Sequence, residues 1–370
     1  MTQSKYATTH YHQYLQLDKI LDAQYLRSAE AGKPAHDEML FIIIHQTYEL
    51  WFKQIIHELT AVIDTMQKEY IDERALNSVV AHLNRIIEIM ELLIQQIRVL
   101  ETMSPLEFLD FRDYLFPASG FQSFQFRLIE TLLGLKSAQR VTYNGQAYHL
   151  SLEPEQQKQI LALENGQSLL QIIERWLVRI PFLEFKKFNF LKHYKTAVNA
   201  MINREQESIR QSEYLNDAEK KMRLQMLGNT DTYFQQVFDP KKHEESKQAG
   251  ALKLSYRAMV SALFITLYNT EPMLANPYLL ITKLTDLDEL ITTWRYRHAQ
   301  MVLRMLGKKI GTGGSSGHDY LKTTALAHHI FSDFHNISTL LVPRSEIPDL
   351  PDYVKEELNF HFTKNIKPRI

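Results

Sequence analysis

One stretch limits what this chain can become: His36-Asp37-Glu38-Met39-Leu40-Phe41-Ile42-Ile43-Ile44-His45-Gln46-Thr47-Tyr48-Glu49-Leu50-Trp51-Phe52-Lys53. Read at 3.6 residues per turn, Leu40, Ile43, Ile44, Leu50, Trp51 and Ile55 fall on one broad apolar surface, which predicts a helix buried on most sides. Phe41 and His45 stand four apart and share a face. An imidazole in so apolar a helix must find a partner or stay neutral. A core histidine bonded to a backbone carbonyl satisfies that demand, and so does a histidine serving a buried site.

The rest of the chain extends the helical pattern. Residues 73 to 102 place Leu76, Val79, Val80, Leu83, Ile86, Ile87, Met90, Leu93 and Ile97 at helical spacing, ending near Ser104-Pro105. Residues 19–30, 154–178, 191–226, 250–270 and 285–306 also read as helices. The last begins with the capping-box pattern Thr285-Asp286-Leu287-Asp288 and stops at Gly307. Residues 236–249 read as a charged loop, and Val141 to Tyr148, centred on Asn144-Gly145, as a hairpin. Only 12 Gly and 12 Pro in 370 residues favour helices over a turn-rich β fold. Residues 1–18, with Tyr6, Tyr11 and Tyr14 beside His10 and His12, read as an aromatic arm. The expectation is an all-α protein: that arm, one helical domain over 19–370, and at most a short β-hairpin near 141–148.

Charge and composition narrow the function. A net charge of -1 leaves no basic excess for nucleic acid. No run approaches the ~20 apolar residues of a membrane helix, and the first residues start no apolar signal segment, so the default setting is cytoplasmic. The absence of Cys removes disulfides, thiolate nucleophiles, zinc-thiolate sites and thiolate-ligated haem. Any metal must be held by His or carboxylates.

A second histidine, His298, shares its helical face with Trp294, Val302 and Met305. An imidazole amid an apolar face suits an axial haem ligand, and equally a core histidine. Shortly after it comes Gly311-Thr312-Gly313-Gly314-Ser315-Ser316-Gly317. This run has no Lys-Ser/Thr at its end and no preceding strand, so it is neither a P-loop nor a dinucleotide fingerprint. A loop that folds over a ligand fits its structured flanks better than a free linker.

Four motifs together carry a resemblance: residues 36 to 54, Phe-Arg-Asp-Tyr-Leu-Phe-Pro-Ala-Ser-Gly-Phe-Gln-Ser at 111 to 123, Trp-Arg-Tyr-Arg-His at 294 to 298, and the Gly-rich run at 311 to 317. In order and spacing they resemble the tryptophan 2,3-dioxygenase family over nearly the whole chain. The resemblance implies a haem enzyme, with one haem b per subunit, that cleaves the indole C2–C3 bond of L-tryptophan with O2 to give N-formyl-L-kynurenine, the first step of the kynurenine pathway. It makes His298 the iron ligand and places His45 against the indole N–H. Phe41, Ile42, Ile43, Ile44 and Phe108 are implied beside the substrate. Arg112 is implied on its carboxylate and Thr312 on its amino-acid end. Leu115, Ser119, Gly120 and Trp294 are implied at the haem, and Tyr11 and Tyr14 in a neighbouring subunit's site within a homotetramer. The alternatives are a relative that inserts one oxygen atom or acts on a modified tryptophan, which product mass separates, and a haem sensor without catalysis, which tryptophan-dependent formation of formylkynurenine eliminates.

Overall fold

The computed structural model of the chain describes residues 8–142, 147–307, 309 and 317–359. Three long helices form its frame: Glu38–Met66, Glu73–Leu100 and Pro272–Leu306. The third has 35 residues and is about 50 Å long at the usual rise. It packs along Glu73–Leu100, which packs in turn along Glu38–Met66.

The packing follows from the sequence period. On Glu38–Met66 the buried stripe is Ile44, Tyr48, Phe52, Ile55, Leu59, Val62 and Met66, at steps of four or three. It meets the stripe Leu76, Val79, Leu83, Ile86, Met90, Leu93 and Ile97 of the second helix. Each fully buried leucine, such as Leu59 or Leu83, contributes about 2 kcal/mol of transfer free energy. The first helix is less enclosed than its composition suggests. Ile43 and Leu50, expected on the covered surface, are 42% and 52% exposed, because they stand on the helix face turned away from the second helix's stripe.

Other boundaries differ from expectation for identifiable reasons. The pattern at Thr285 starts no helix: Pro272, at the first turn, begins it, and the Thr285 hydroxyl bonds back to the Ile281 carbonyl at 3.0 Å. The helix does end at Gly307, whose φ of +59° suits glycine. Residues 191–226 split into Phe190–Gln211 and Asp217–Phe238. Asn216 and Glu219 cap the second reciprocally, each backbone N–H reaching the other's side chain at 2.9 Å. The charged segment 240–248 is helical, because Asp239 accepts from the Lys241 and Lys242 N–H groups and Pro240 fits the first turn.

The centre of the expected hairpin, residues 143–146, lies outside the described residues. Tyr148–Ser151 is a 3-10 turn. The two-stranded ladder that is described pairs Glu184–Phe185 with Phe188–Asn189, turning at Lys186 with φ +54°. The Gly-rich run from 311 to 316, Thr312 included, also lies outside the described residues. Near the N-terminus, Tyr11–Leu15 and Leu17–Leu21 are short helices with no buried residue. No described helix is long and apolar enough to cross a membrane.

Candidate active site

A cavity of about 570 Å³ opens between the Glu38–Met66 helix, the Pro105–Arg112 helix, the Phe124–Leu133 helix and the C-terminal half of Pro272–Leu306. From the first helix it takes Phe41, His45 and Glu49, residues one turn apart on one face. Ile42, Ile43 and Ile44 point elsewhere: Ile44 is in the core, and none of the three lines the cavity. Phe108 and Arg112 share a face of the short helix and both line it. This helix is set by Ser104, which with Glu107 forms a capping box ahead of Pro105.

The end beside His45 is aromatic. The Phe41 ring lies 4.1 Å from the His45 ring, 5.7 Å from Phe108 and 5.5 Å from Phe111. These faces and edges can hold a flat apolar ring. His45 Nδ1 lies 2.7 Å from the Phe41 carbonyl oxygen. A carbonyl only accepts, so Nδ1 carries the proton and Nε2 presents a lone pair. The histidine thus bonds to a backbone carbonyl and serves the cavity as well. Burial lowers its pKa, against the Phe41 bond and the Glu49 charge, which raise it. His45 is exposed in the single chain and lines the cavity.

His298 stands on the long helix with its ring stacked on Trp294 at 5.4 Å. Trp294 is held by Phe126 at 4.9 Å and by Phe52 and Tyr48 at about 6 Å. Burial, with His45 as the second cause, lowers the His298 pKa to about 4, so the imidazole is neutral and free to ligate a metal at neutral pH. Among the described residues no group of three His, Asp or Glu could hold a bare metal ion. A single neutral imidazole in an apolar cavity is instead the donor that a haem iron takes. Leu115, Ser119, Gly120 and Trp294 line the same cavity.

Its other end is charged. Glu130, 2% exposed, accepts from Arg127 at 2.9 Å, Arg295 at 2.6 Å and Arg140. Burial opposes the carboxylate's charge, but Arg140, then Arg127 and Arg295, outweigh it and hold its pKa well below the usual range. Three guanidinium groups face one carboxylate, and the Nε atoms of Arg127 and Arg140 are buried without a hydrogen bond. Excess buried positive charge calls for an anion. Haem carries two carboxylates, so the donor set fits it at both ends. The sequence reading missed Glu49, Arg127, Glu130 and His328; the spacing Arg127-x-x-Glu130 on a helix was the available signal.

Tyr11 and Tyr14 are 71% and 73% exposed and do not line this chain's cavity. The cavity gathers Phe41, His45, Phe108, Arg112, Leu115, Ser119, Gly120, Trp294 and His298 from four separate segments of the chain.

The comparisons agree in direction. Residues 1–341 match the family model described as tryptophan 2,3-dioxygenase. A protein of that name from Bdellovibrio bacteriovorus is 49% identical over 358 residues, covering 97% of this chain and 100% of the relative. Others so named, from Alteromonas mediterranea and Dictyostelium discoideum, are 47% and 44% identical over 95% and 97% of this chain, and over 97% and 90% of their own lengths. With an aromatic slot, a neutral buried imidazole and a match along most of its length, the chain belongs to the tryptophan 2,3-dioxygenase family.

Proposed function

We propose that this member of the family is a haem b enzyme that opens the pyrrole ring of L-tryptophan with O2, giving N-formyl-L-kynurenine, and that His298 is its single protein ligand to iron. The observation that carries the reading is that His45 and His298 line one cavity, with an aromatic slot beside His45 and burial lowering the pKa of both imidazoles. When bound, haem supplies the activation of O2.

The chain's own residues then bind and orient. Phe41 and Phe108 hold the indole plane. His45 Nε2 accepts the indole N–H, since its other nitrogen is committed to the Phe41 carbonyl. Arg112, on the cavity wall, meets the substrate carboxylate through its planar fork. Thr312 is assigned to the amino-acid end of the substrate. Arg127 and Arg295 would hold the haem carboxylates at the charged end. Closing an apolar cavity around the ring excludes water from the reacting carbons.

Residues 1–18 are assigned to a neighbouring subunit's site in a homotetramer, with Tyr11 and Tyr14 as the reaching side chains. Their exposure in the single chain supports this. A cytoplasmic setting and the first step of the kynurenine route belong to the same reading.

The test is direct. The anaerobically reduced holoprotein is mixed with L-tryptophan, its haem spectrum is recorded, and O2 is added. A spectral change on tryptophan binding, followed by a product heavier by two oxygen atoms, is expected. A gain of one oxygen atom, or no product, overturns the reading.

A further inference from the structure

Glu49 is the one cavity-lining residue of the first helix that the reaction above does not use. It stands one turn beyond His45 and faces the same space. Both carboxylate oxygens are occupied by neutral donors from one short segment. The Ser123 hydroxyl donates to Oε1 at 2.6 Å, and the Gln125 amide donates to Oε2 at 2.8 Å. The same amide donates to the Glu49 backbone carbonyl at 2.7 Å.

That segment matters because of what precedes and follows it. Ser123 is the N-cap of Phe124–Leu133, and its oxygen accepts from the Phe126 N–H at 3.3 Å. Immediately before it runs the loop that brings Ser119 and Gly120 to the cavity. Three hydrogen bonds from two neighbouring residues to one glutamate are more than helix packing requires. They join the wall of the cavity to the helix that carries the imidazole.

We propose that Glu49 is a positioning residue, which fixes the 119–123 wall against the His45 helix and so sets the alignment of the bound indole with His45. The proposal rests on the assignment of His45 to the indole N–H. A charged acceptor serves this purpose better than a neutral one, because bonds to a carboxylate are shorter and stronger. Its place on a helix, one turn from the group it aligns, gives a rigid support.

A double-mutant cycle on the holoenzyme tests the link. Glu49→Ala is expected to lower kcat/KM for L-tryptophan about tenfold, the range in which neighbouring residues couple. It is also expected to narrow the preference for tryptophan over 1-methyltryptophan, which lacks the indole N–H. In a His45→Ser background the same change is expected to cost less than about threefold, since no imidazole remains to be aligned. Glu49→Gln can still accept from Gln125 and donate to Ser123, so it is expected to recover most of the loss. Equal losses from Glu49→Ala in both backgrounds overturn the proposal, as does an unchanged preference. If His45→Ser alone leaves the preference intact, the His45 assignment fails instead. Should the alanine protein lose its haem, Gln125→Leu removes the opposite ends of two of the bonds and takes its place in the cycle.

Discussion

The two ends of the cavity solve the same problem in opposite ways. Both bury titratable groups. At the aromatic end, His45 and His298 have no carboxylate bonded to them, and burial holds them neutral. At the charged end, pairing with three arginines keeps Glu130 ionised. The neutral end is built from residues a turn apart on single helices, Phe41 with His45 and Trp294 with His298. The charged end joins distant residues, Arg295 and Glu130 being 165 positions apart. A ring-shaped ligand with carboxylates on one edge would match that polarity, with His298 as the donor to its metal and Arg127 and Arg295 available to its acids. Breaking each end should therefore give different failures: loss of cofactor or substrate use at one, loss of stability at the other.

The largest effect belongs to His298. His298→Ala should leave the helical content of the protein near normal but remove most of its haem and with it essentially all activity, because its neutral imidazole is the donor assigned to the iron. Absorbance per protein, with circular dichroism as the folding check, decides this. Full haem content and an unchanged ferrous spectrum would show the iron ligand to be another residue.

At the charged end, Glu130→Gln should act on the fold. It leaves three buried guanidinium groups without their anion, which costs on the order of 3–5 kcal/mol. Urea unfolding should show that loss as a lower midpoint. An unaltered midpoint would mean that the arginines are compensated elsewhere. Arg112→Leu should do the reverse and spare stability. Truncating one partner of a charge-assisted pair costs about 2–5 kcal/mol, or roughly 30- to 5000-fold in kcat/KM for tryptophan. Tryptamine, which lacks the carboxylate, should lose little further. Equal losses for both substrates would make Arg112 structural.

The charged end should also set the response to acid. His328 Nε2 accepts the Val141 N–H at 3.0 Å, so a proton there would face another donor. Burial first, then Arg295, lowers its pKa from the ordinary 6.5 to about 4. The unfolded chain therefore binds a proton between pH 6.5 and about 4 that the folded chain refuses. Stability from this group is complete above pH 6.5 and falls as pH drops toward 4, by about 3 kcal/mol in all. In His328→Gln, whose side-chain oxygen can still accept from Val141, the slope over this window should flatten. Parallel pH curves for the two proteins would remove His328 as the cause.

The sequence was informative where the chemistry is local. Phe41 and His45, or Phe108 and Arg112, share a face by spacing alone, and the cavity takes both pairs. The same period misled at Ile43 and Leu50, because apolar residues on both sides of a helix do not say which side is covered. The Thr285 pattern misled because a capping sequence inside a longer apolar period cannot outbid the packing that continues the helix. The Glu130 cluster was out of reach. Its partners come from one helix, a loop and the long helix, and no spacing rule links Glu130 to Arg140 or Arg295. Motif resemblance supplied the roles proposed for Arg112 and His298, which their spacing alone did not separate from structural ones.

The smallest expected effect is at His45, and its size follows from the hydrogen bond already present. The Phe41 carbonyl, 2.7 Å from Nδ1, fixes the tautomer, so Nε2 can only accept while the ring is neutral. An indole N–H is a weak acid, and accepting its hydrogen bond orients the ring without removing the proton. Orientation by one neutral hydrogen bond is worth about 1 kcal/mol, less than tenfold in rate. His45→Ser should thus retain measurable turnover, with kcat/KM for tryptophan lowered by about fivefold. What it should lose is discrimination, because 1-methyltryptophan leaves Nε2 unpaired in the parent but presents no such defect to a serine that can turn away. The ratio of kcat/KM for the two substrates, measured in both proteins, reads this contact free of any effect on haem. An unchanged ratio would place the indole nitrogen away from His45. Complete loss of turnover would instead make the imidazole a base, and the aromatic end of the cavity would then do proton chemistry that its neutral construction argues against.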